Sequence, residues 1–341
     1  MKSLRSTADL IQANFINKQS EKDFQKIEDR YDIAISGHIS QNIHHNNSDA
    51  LSQQFVPQTN ELNILATELE DPIGDETYTP VKGITHRYPD RVLLKPTHKC
   101  AVYCRFCFRR EKVGDDSARL SDEELEQAIQ YIENNKEIWE VILTGGDPLF
   151  ISASRIANIL RRLEAIDHLE IIRFHTRIPV VSPELISPQL LETLQSTKAI
   201  YIVLHSNHPD EFTAEAQDAC AKIVKAGIPM LSQSVLLKGI NNSAETLEKL
   251  FRCFLRNKIK PYYLHHPDLA PGTSHFRLTI AEGQKIMQEL QGKISGTALP
   301  TYVLDIPGGY GKVPLTPQFI QNNETGYTIT DVNGKTHHYA E

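Results

Sequence analysis

The stretch RVLLKPTHKCAVYCRFCFRR, residues 91–110, reads as a short apolar strand that runs directly into a loop holding Cys100, Cys104 and Cys107. Three thiols within eight residues can wrap a single soft metal centre, either zinc or an iron–sulfur cluster. Structural zinc normally takes four ligands in paired C-x2-C knuckles, and no second knuckle follows here; His98 would have to complete a Cys3His zinc site. Cys220 and Cys253 fall on predicted helices at apolar positions and read as core residues. A cubane held by only three thiolates instead keeps one iron open, which a cluster needs if it is to bind and reduce a ligand.

Outward from this loop, strands and helices alternate. SDEELEQAIQYIENN (121–135) opens with Ser121 and Glu124 spaced as a capping box, so a helix starts there. EVILTGG (140–146) reads as a buried strand, ISASRIANILRRLEAI (151–166) as a helix and EIIRFHT (170–176) as a strand. The rhythm continues through strand 199–207, helix 213–227, strand 229–237, helix 243–257, strand 260–266, a helix near 279–292, and PTYVLDIPGG (300–309). Strands separated by helices at this spacing predict a parallel sheet. About six such units, with polar and glycine residues just after the strands, predict a full or partial (β/α) barrel with its site at the C-terminal strand ends.

Composition narrows the function. The chain has 341 residues and a formal charge of −7, which argues against general nucleic-acid binding. No run of about twenty apolar residues is present to span a bilayer, and MKSLRSTADLIQANF has no apolar stretch of the kind a secretory signal needs. Five cysteines, three of them crowded together, suit a reducing cytoplasm better than a disulfide framework. The first 60 or so residues are polar with loosely helical apolar spacing, and QNIHHNNSD (41–49) has the composition of a loop. His44 and His45 within it lack a cysteine or carboxylate partner at a defined spacing, so a solvated loop is expected rather than a metal site. The tail GYTITDVNGKTHHY (326–339) predicts a hairpin with a two-residue turn at Asn333-Gly334.

Two further segments carry chemistry. In LTGGDPL (143–149), Gly145 and Gly146 let backbone approach a ligand, and the carboxylate of Asp147 can hold an ammonium. IPGGYGKVPL (306–315) places Lys312 in a glycine-rich loop; a nucleotide P-loop is excluded because Ile306 stands where its first glycine belongs and Val313 where its hydroxyl residue belongs. A lysine beside a ligand mouth can form a Schiff base with a carbonyl cofactor such as pyridoxal phosphate.

The C-x3-C-x2-C spacing with Phe106 before the third cysteine is similar to the signature of radical S-adenosylmethionine enzymes, and more of the chain resembles the lysine 2,3-aminomutase family within them. The resemblance covers about Ile84 to Ile320 through HRYPDRVL (86–93), CAVYCRFCFRR (100–110), the Gly-Gly-Asp turn, LHSNHP (204–209), SQSVLLKGINN (232–242), PYYLHHPD (261–268), SHFR (274–277) and PTYVLDIPGGYGK (300–312). It implies a radical S-adenosylmethionine partial barrel over 84–320, an N-terminal helical extension over 1–83 and a short hairpin tail over 321–341. It also implies roles by position. Cys100, Cys104 and Cys107 would bind a [4Fe–4S] cluster, and Gly145, Gly146 and Asp147 the amino group of S-adenosylmethionine. Lys312 would bond to pyridoxal phosphate, with Arg87, Tyr88, Arg91, His205 and Gln233 around that cofactor. Arg109 would pair with the substrate carboxylate, and Asp268 and Asp305 with its distal ammonium.

The implied reaction interconverts L-lysine and β-lysine by radical amino migration, fed by an external electron donor such as flavodoxin or ferredoxin. Related alternatives are arginine as substrate, or β-lysine supply for modification of elongation factor P; glutamate would set its distal carboxylate against two aspartates. A non-enzymatic zinc or iron–sulfur binder would account for the cysteines and leave Lys312, Arg109 and the Gly-Gly-Asp turn without a task. The chain departs from the better-known members in ending soon after the core, without their cysteine-rich zinc segment, so no stoichiometric zinc is expected; a homo-oligomer remains compatible. Ser243 stands where the remaining zinc cysteine would be, and His265 and His266 replace tyrosine- and glutamine-bearing sequence.

Overall fold

The computed structural model describes residues 2–114, 118–317, 319–323 and 326–339; the parts of the expected core and tail at 115–117, 318, 324–325 and 340–341, with Met1, lie outside the described residues. One nine-stranded sheet dominates, in the order β1 (Ile84–Tyr88), β2 (Arg91–Thr97), β3 (Glu140–Gly145), β4 (Ile171–Thr176), β5 (Ala199–His205), β6 (Met230–Val235), β7 (Ile259–His265), β8 (Thr301–Asp305) and β9 (Lys312–Pro314). Strands β2 to β8 run parallel to one another, and antiparallel β1 and β9 flank them. The sheet curls until its two ends meet: the Lys312 amide on β9 donates to the Tyr88 hydroxyl on β1 at 2.9 Å. This is the expected partial barrel, with two edge strands that sequence periodicity did not disclose, because β1 is polar and β9 is three residues long.

Four helices precede the barrel: α1 (Thr7–Gln12), α2 (Glu21–Glu28), α3 (Gly37–Asn46) and α4 (Asp49–Phe55). The reading of 41–49 as a loop is corrected here. Ser36 caps α3 by accepting from the Ile39 amide, and Ile39 and Ile43, one turn apart, are both buried, so helix continues to Asn46. The outer layer consists of α5 (Asp122–Asn134), α6 (Ala153–Glu164), α7 (Ile178–Val181), α8 (Pro188–Thr193), α9 (Ala214–Lys225), α10 (Ala244–Arg256) and α11 (Ile280–Leu290). Ser121 and Glu124 form the expected capping box of α5, and apolar residues of α5, α6, α9, α10 and α11 share one core with the strands. After the barrel, β10 (Ile320–Asn323), β11 (Gly326–Thr330) and β12 (Thr336–Tyr339) form a separate antiparallel sheet. Its last connection is five residues, 331–335, rather than two, because Asp331 Oδ1 accepts from the amides of both Asn333 and Lys335.

The N-terminal helices are tied to the cysteine loop by buried charge. Glu61 is fully buried and accepts from Arg105 Nε at 3.0 Å and Nη2 at 2.6 Å, while Arg110 also bonds to it. Arginine neighbours hold this carboxylate below its usual range against the opposing effect of burial. Removing one partner of such a cluster strands the others without solvent, so the extension and the loop are held as a unit.

Candidate functional site

A cavity of about 680 Å³ occupies the barrel interior. Its lining brings together Cys104, Cys107, Arg87, Tyr88, Arg91, Arg109, His205, Gln233, Asp268, Asp305 and Lys312. These residues come from points as far apart in sequence as the cysteine loop and β9, and the parallel sheet delivers them to one volume. Between β6 and β7 the register shifts, since Ser232 pairs with Pro261 and Gln233 with Tyr263, leaving Tyr262 on β7 as the extra residue beside the cavity.

Lys312 is placed by the turn between β8 and β9. Gly308, Gly309 and Gly311 all take positive φ, and a Cβ at Gly309 would lie 2.5 Å from the Tyr78 ring, so a side chain there is barred twice. The tight turn pairs Asp305 with Lys312 across the two strands, and Lys312 Nζ donates to Asp305 Oδ1 at 2.7 Å. His265 Nδ1 meets Asp305 Oδ2 at 3.1 Å, and Asp305 is only 6 % exposed. Burial alone would raise this carboxyl, yet His265 and Lys312 hold it well below the carboxylate range. Asp268 is in the opposite condition. It lines the same cavity, and burial, then the charge of Asp305, pushes it up to about 7.

Arg109 faces an internal partner: its Nε and Nη2 donate to Asp75 Oδ2 at 3.0 and 2.7 Å. Arg87 Nη2 reaches Asp75 Oδ1 at 3.1 Å, and Lys95 Nζ stands 3.7 Å from Oδ2. Burial opposes ionisation of Asp75, but Arg109 and Lys95 overcome it and hold the carboxyl at about 2. Lys95 is itself lowered to about 8 by burial and by Arg109. Asp75 was not among the candidates from sequence: it lies in the turn-rich segment before β1, and only the folded chain gathers three cations on it. Arg91 stacks over the Tyr88 ring at 3.9 Å and pairs with Asp90 at 2.6 Å.

Three histidines form part of the wall. His175, His205 and His265 each carry a buried Nε2 without a hydrogen-bond partner. The His175 and His205 rings lie 5.3 Å apart, and burial is the main cause that lowers all three and keeps them neutral. A buried ring nitrogen without a partner is an unpaired polar group in the wall, and it costs less once a donor or acceptor reaches it. His205 was anticipated; His175 and His265 were not assigned a site role from sequence.

The Gly-Gly-Asp turn does not line the cavity. A Cβ at Gly146 would lie 2.4 Å from Lys99 O, and the Gly146 and Asp147 amides donate to Thr97 O and Lys99 O at 2.7 and 2.9 Å. Asp147 is buried and accepts from the Thr176 hydroxyl and the Arg177 amide, each at 2.7 Å. These glycines permit close approach to the cysteine loop, and the Asp147 carboxylate is consumed by β4 rather than offered as an open anion. Ser243 caps α10 by accepting from the Thr246 amide at 3.1 Å.

The three cysteines lie on the loop after β2, near enough for their charges to act on one another, although no three metal-ligating side chains among the described residues converge as a ready-made site. Burial raises all three thiols, and Cys100 is raised further by Asp147 and by Cys107 and Cys104, Cys107 by Cys104. The Arg109 amide works in the opposite direction on Cys107, the Asp147 amide on Cys100, and Arg177 Nη1 donates to Cys104 Sγ at 3.0 Å. Crowded thiols that repel one another, each with a donor nearby, fit a shared cation that would take them as thiolates.

The family described as the Radical SAM superfamily matches residues 94–251, and that described as lysine-2,3-aminomutase matches 287–341. The L-lysine 2,3-aminomutase of Acetoanaerobium sticklandii is 39% identical over 87% of this chain and 72% of its own length. The chain belongs to the lysine 2,3-aminomutase family. A putative L-lysine 2,3-aminomutase of Aquifex aeolicus is 39% identical over 90% of this chain and 83% of its own. The glutamate 2,3-aminomutase of Clostridioides difficile is also 39% identical, over 76% of this chain and 61% of its own. Radical aminomutases of this family are isomerases. Membership implies S-adenosylmethionine and a [4Fe–4S] cluster, an amino-acid substrate and an electron donor. No helix among the described residues is long and apolar enough to cross a membrane.

Proposed function

We propose that the chain interconverts L-lysine and β-lysine, with a [4Fe–4S] cluster on Cys100, Cys104 and Cys107 and pyridoxal phosphate bonded to Lys312. The cluster with S-adenosylmethionine supplies a carbon radical, and pyridoxal phosphate supplies a π-system for the migrating nitrogen. One observation carries the choice of substrate: two carboxylates, Asp268 and Asp305, line one cavity with Arg109. That charge pattern suits an α-amino acid with a cationic tail, and it sets two anions against the tail of glutamate.

The residues then divide the work. Arg109 offers a guanidinium fork to the substrate carboxylate, exchanging its present partner Asp75. Asp305 holds the Lys312 ammonium at 2.7 Å until the lysine is committed elsewhere, which frees Oδ1 for the incoming cation. Asp268, pushed up to about 7, gives its proton up readily once a cation arrives beside it. Arg91, ordered on the Tyr88 ring, and Arg87 provide positive charge for a phosphate. His205 and Gln233 supply polar wall atoms, and the strands surround the volume in which the radical would form.

The test is an anaerobic comparison of lysine, arginine, glutamate and alanine, with S-adenosylmethionine, pyridoxal phosphate and a one-electron donor such as reduced flavodoxin or ferredoxin. The β-amino product of lysine is expected. Turnover of arginine without lysine would overturn the substrate and leave the cofactor reading standing.

A further inference from the structure

The side chain of Arg177, the residue after β4, ends against the Cys104 sulfur. Its Nη1 donates to Sγ at 3.0 Å, and its Nη2 donates to Glu211 Oε2 at 2.5 Å and Gln54 Oε1 at 3.1 Å. Arg177 is 8 % exposed and Glu211 is wholly buried. The carboxylate is fixed in turn by the Asn207 and His208 amides, which donate to Oε1 at 2.7 and 2.9 Å. The Phe55 and Phe106 rings lie 4.9 and 5.7 Å from the guanidinium carbon. A buried cation is thus clamped with one N–H aimed at a thiol, and substrate binding has no claim on it in the reaction described above.

We infer that Arg177 is a positioning residue that raises the reduction potential of the iron–sulfur cluster through Cys104, with Glu211 limiting how far. The inference rests on Cys104 being a cluster ligand. Reduction adds one electron from the external donor, forms no bond and moves no proton. The added negative charge spreads over iron and all its sulfurs. A largely buried guanidinium at 3.0 Å from one of those sulfurs stabilises the reduced form more than the oxidised one. Glu211 cancels part of that charge from the far side of the fork.

The two ends of the pair therefore make opposite predictions, which a purely structural role does not. The full-length protein is reconstituted anaerobically without S-adenosylmethionine, its iron and labile sulfide are measured, and the cluster is titrated by electron paramagnetic resonance. Arg177→Gln should lower the midpoint potential and Glu211→Gln should raise it, both with a full complement of iron and sulfide. Arg177→Lys, which keeps the charge, should lie between wild type and Arg177→Gln. If Arg177→Gln assembles no cubane, the upward shift in Glu211→Gln decides. Unchanged potentials, or shifts of the same sign in both variants, would overturn the inference. A full cubane in Cys104→Ala would instead show that the ligand reading beneath it is wrong.

Discussion

Lys312 and His265 meet the same carboxylate from opposite sides: Lys312 Nζ donates to Asp305 Oδ1 at 2.7 Å, and His265 Nδ1 lies 3.1 Å from Oδ2. The carboxylate expected to grip a substrate is therefore also the group that parks the lysine expected to carry pyridoxal phosphate. Asp305 changes partners during the proposed cycle, whereas Asp268 is raised by burial and held ready for a cation.

Replacement of Lys312 separates cofactor attachment from cluster assembly. Lys312→Ala should lose borohydride-fixed pyridoxal phosphate and at least about a thousandfold in activity, while binding iron and sulfide as wild type does. Peptide mapping that found pyridoxal phosphate fixed to another lysine in the wild-type protein would reject the assignment.

Cys104→Ala should abolish the brown absorbance of the cluster and all turnover. Pyridoxal phosphate attachment should survive, since Lys312 is placed by the glycine turn between β8 and β9 and not by the cysteine loop. Retention of four irons per chain in this variant is the outcome that counts against it.

Asp75 offers a test of stability rather than turnover. Its carboxyl is held at about 2 against an ordinary 3.8 by Arg109 and Lys95 in spite of burial. A depressed carboxyl contributes stability that is present above pH 4 or so and is lost as pH falls toward 2. The difference is worth about 2 kcal/mol. Asp75→Asn should therefore unfold more easily than wild type at pH 7, and denaturant titrations should show the gap closing as pH falls from about 4 to 2. A constant gap across that range would mean the cost of the variant comes from packing.

Much of the barrel was legible because its parallel strands are short apolar runs bounded by capped helices, as at Ser121 and Glu124. The cysteine loop and Lys312 were legible because their chemistry is local in sequence. What escaped was tertiary. Asp75 sits among turns, Arg177 reads as one more residue after a strand, and His175 looks like an alternate position in EIIRFHT until the sheet curls around it. The Gly-Gly-Asp turn was found for its ligand-binding composition, yet its glycines are demanded by contact with residues 97–99. Composition announced that a backbone must come close; only the fold says to what.

The final prediction concerns how the cavity recognises a cationic tail. Asp268 is pushed up to about 7, so below that pH the free protein holds it protonated and only Asp305 is charged. The KM for lysine should rise as pH falls from 8 to 6, with kcat changing less, because the proton on Asp268 competes with the substrate cation. Asp268→Asn should remove this pH dependence and carry a high KM throughout. Loss of one partner of a buried ion pair costs about 3–5 kcal/mol, so the penalty in kcat/KM should reach about 10²–10³-fold or more. The same carboxyl gives a second readout without any cofactor. Its folded pKa lies above its unfolded value, so it takes up a proton on folding, and this site loses stability as pH rises from about 4 through 7. Asp268→Asn should melt higher than wild type at pH 8 and by a smaller margin at pH 5. Asp305→Asn should behave differently in both assays. It loses the negative charge that pairs with Lys312 and His265, so it should melt lower at pH 8. Equal kcat/KM for lysine in wild type and Asp268→Asn would remove this carboxylate from substrate recognition. A matching loss for alanine as substrate would point to a general defect, since alanine has no cation for Asp268 to hold.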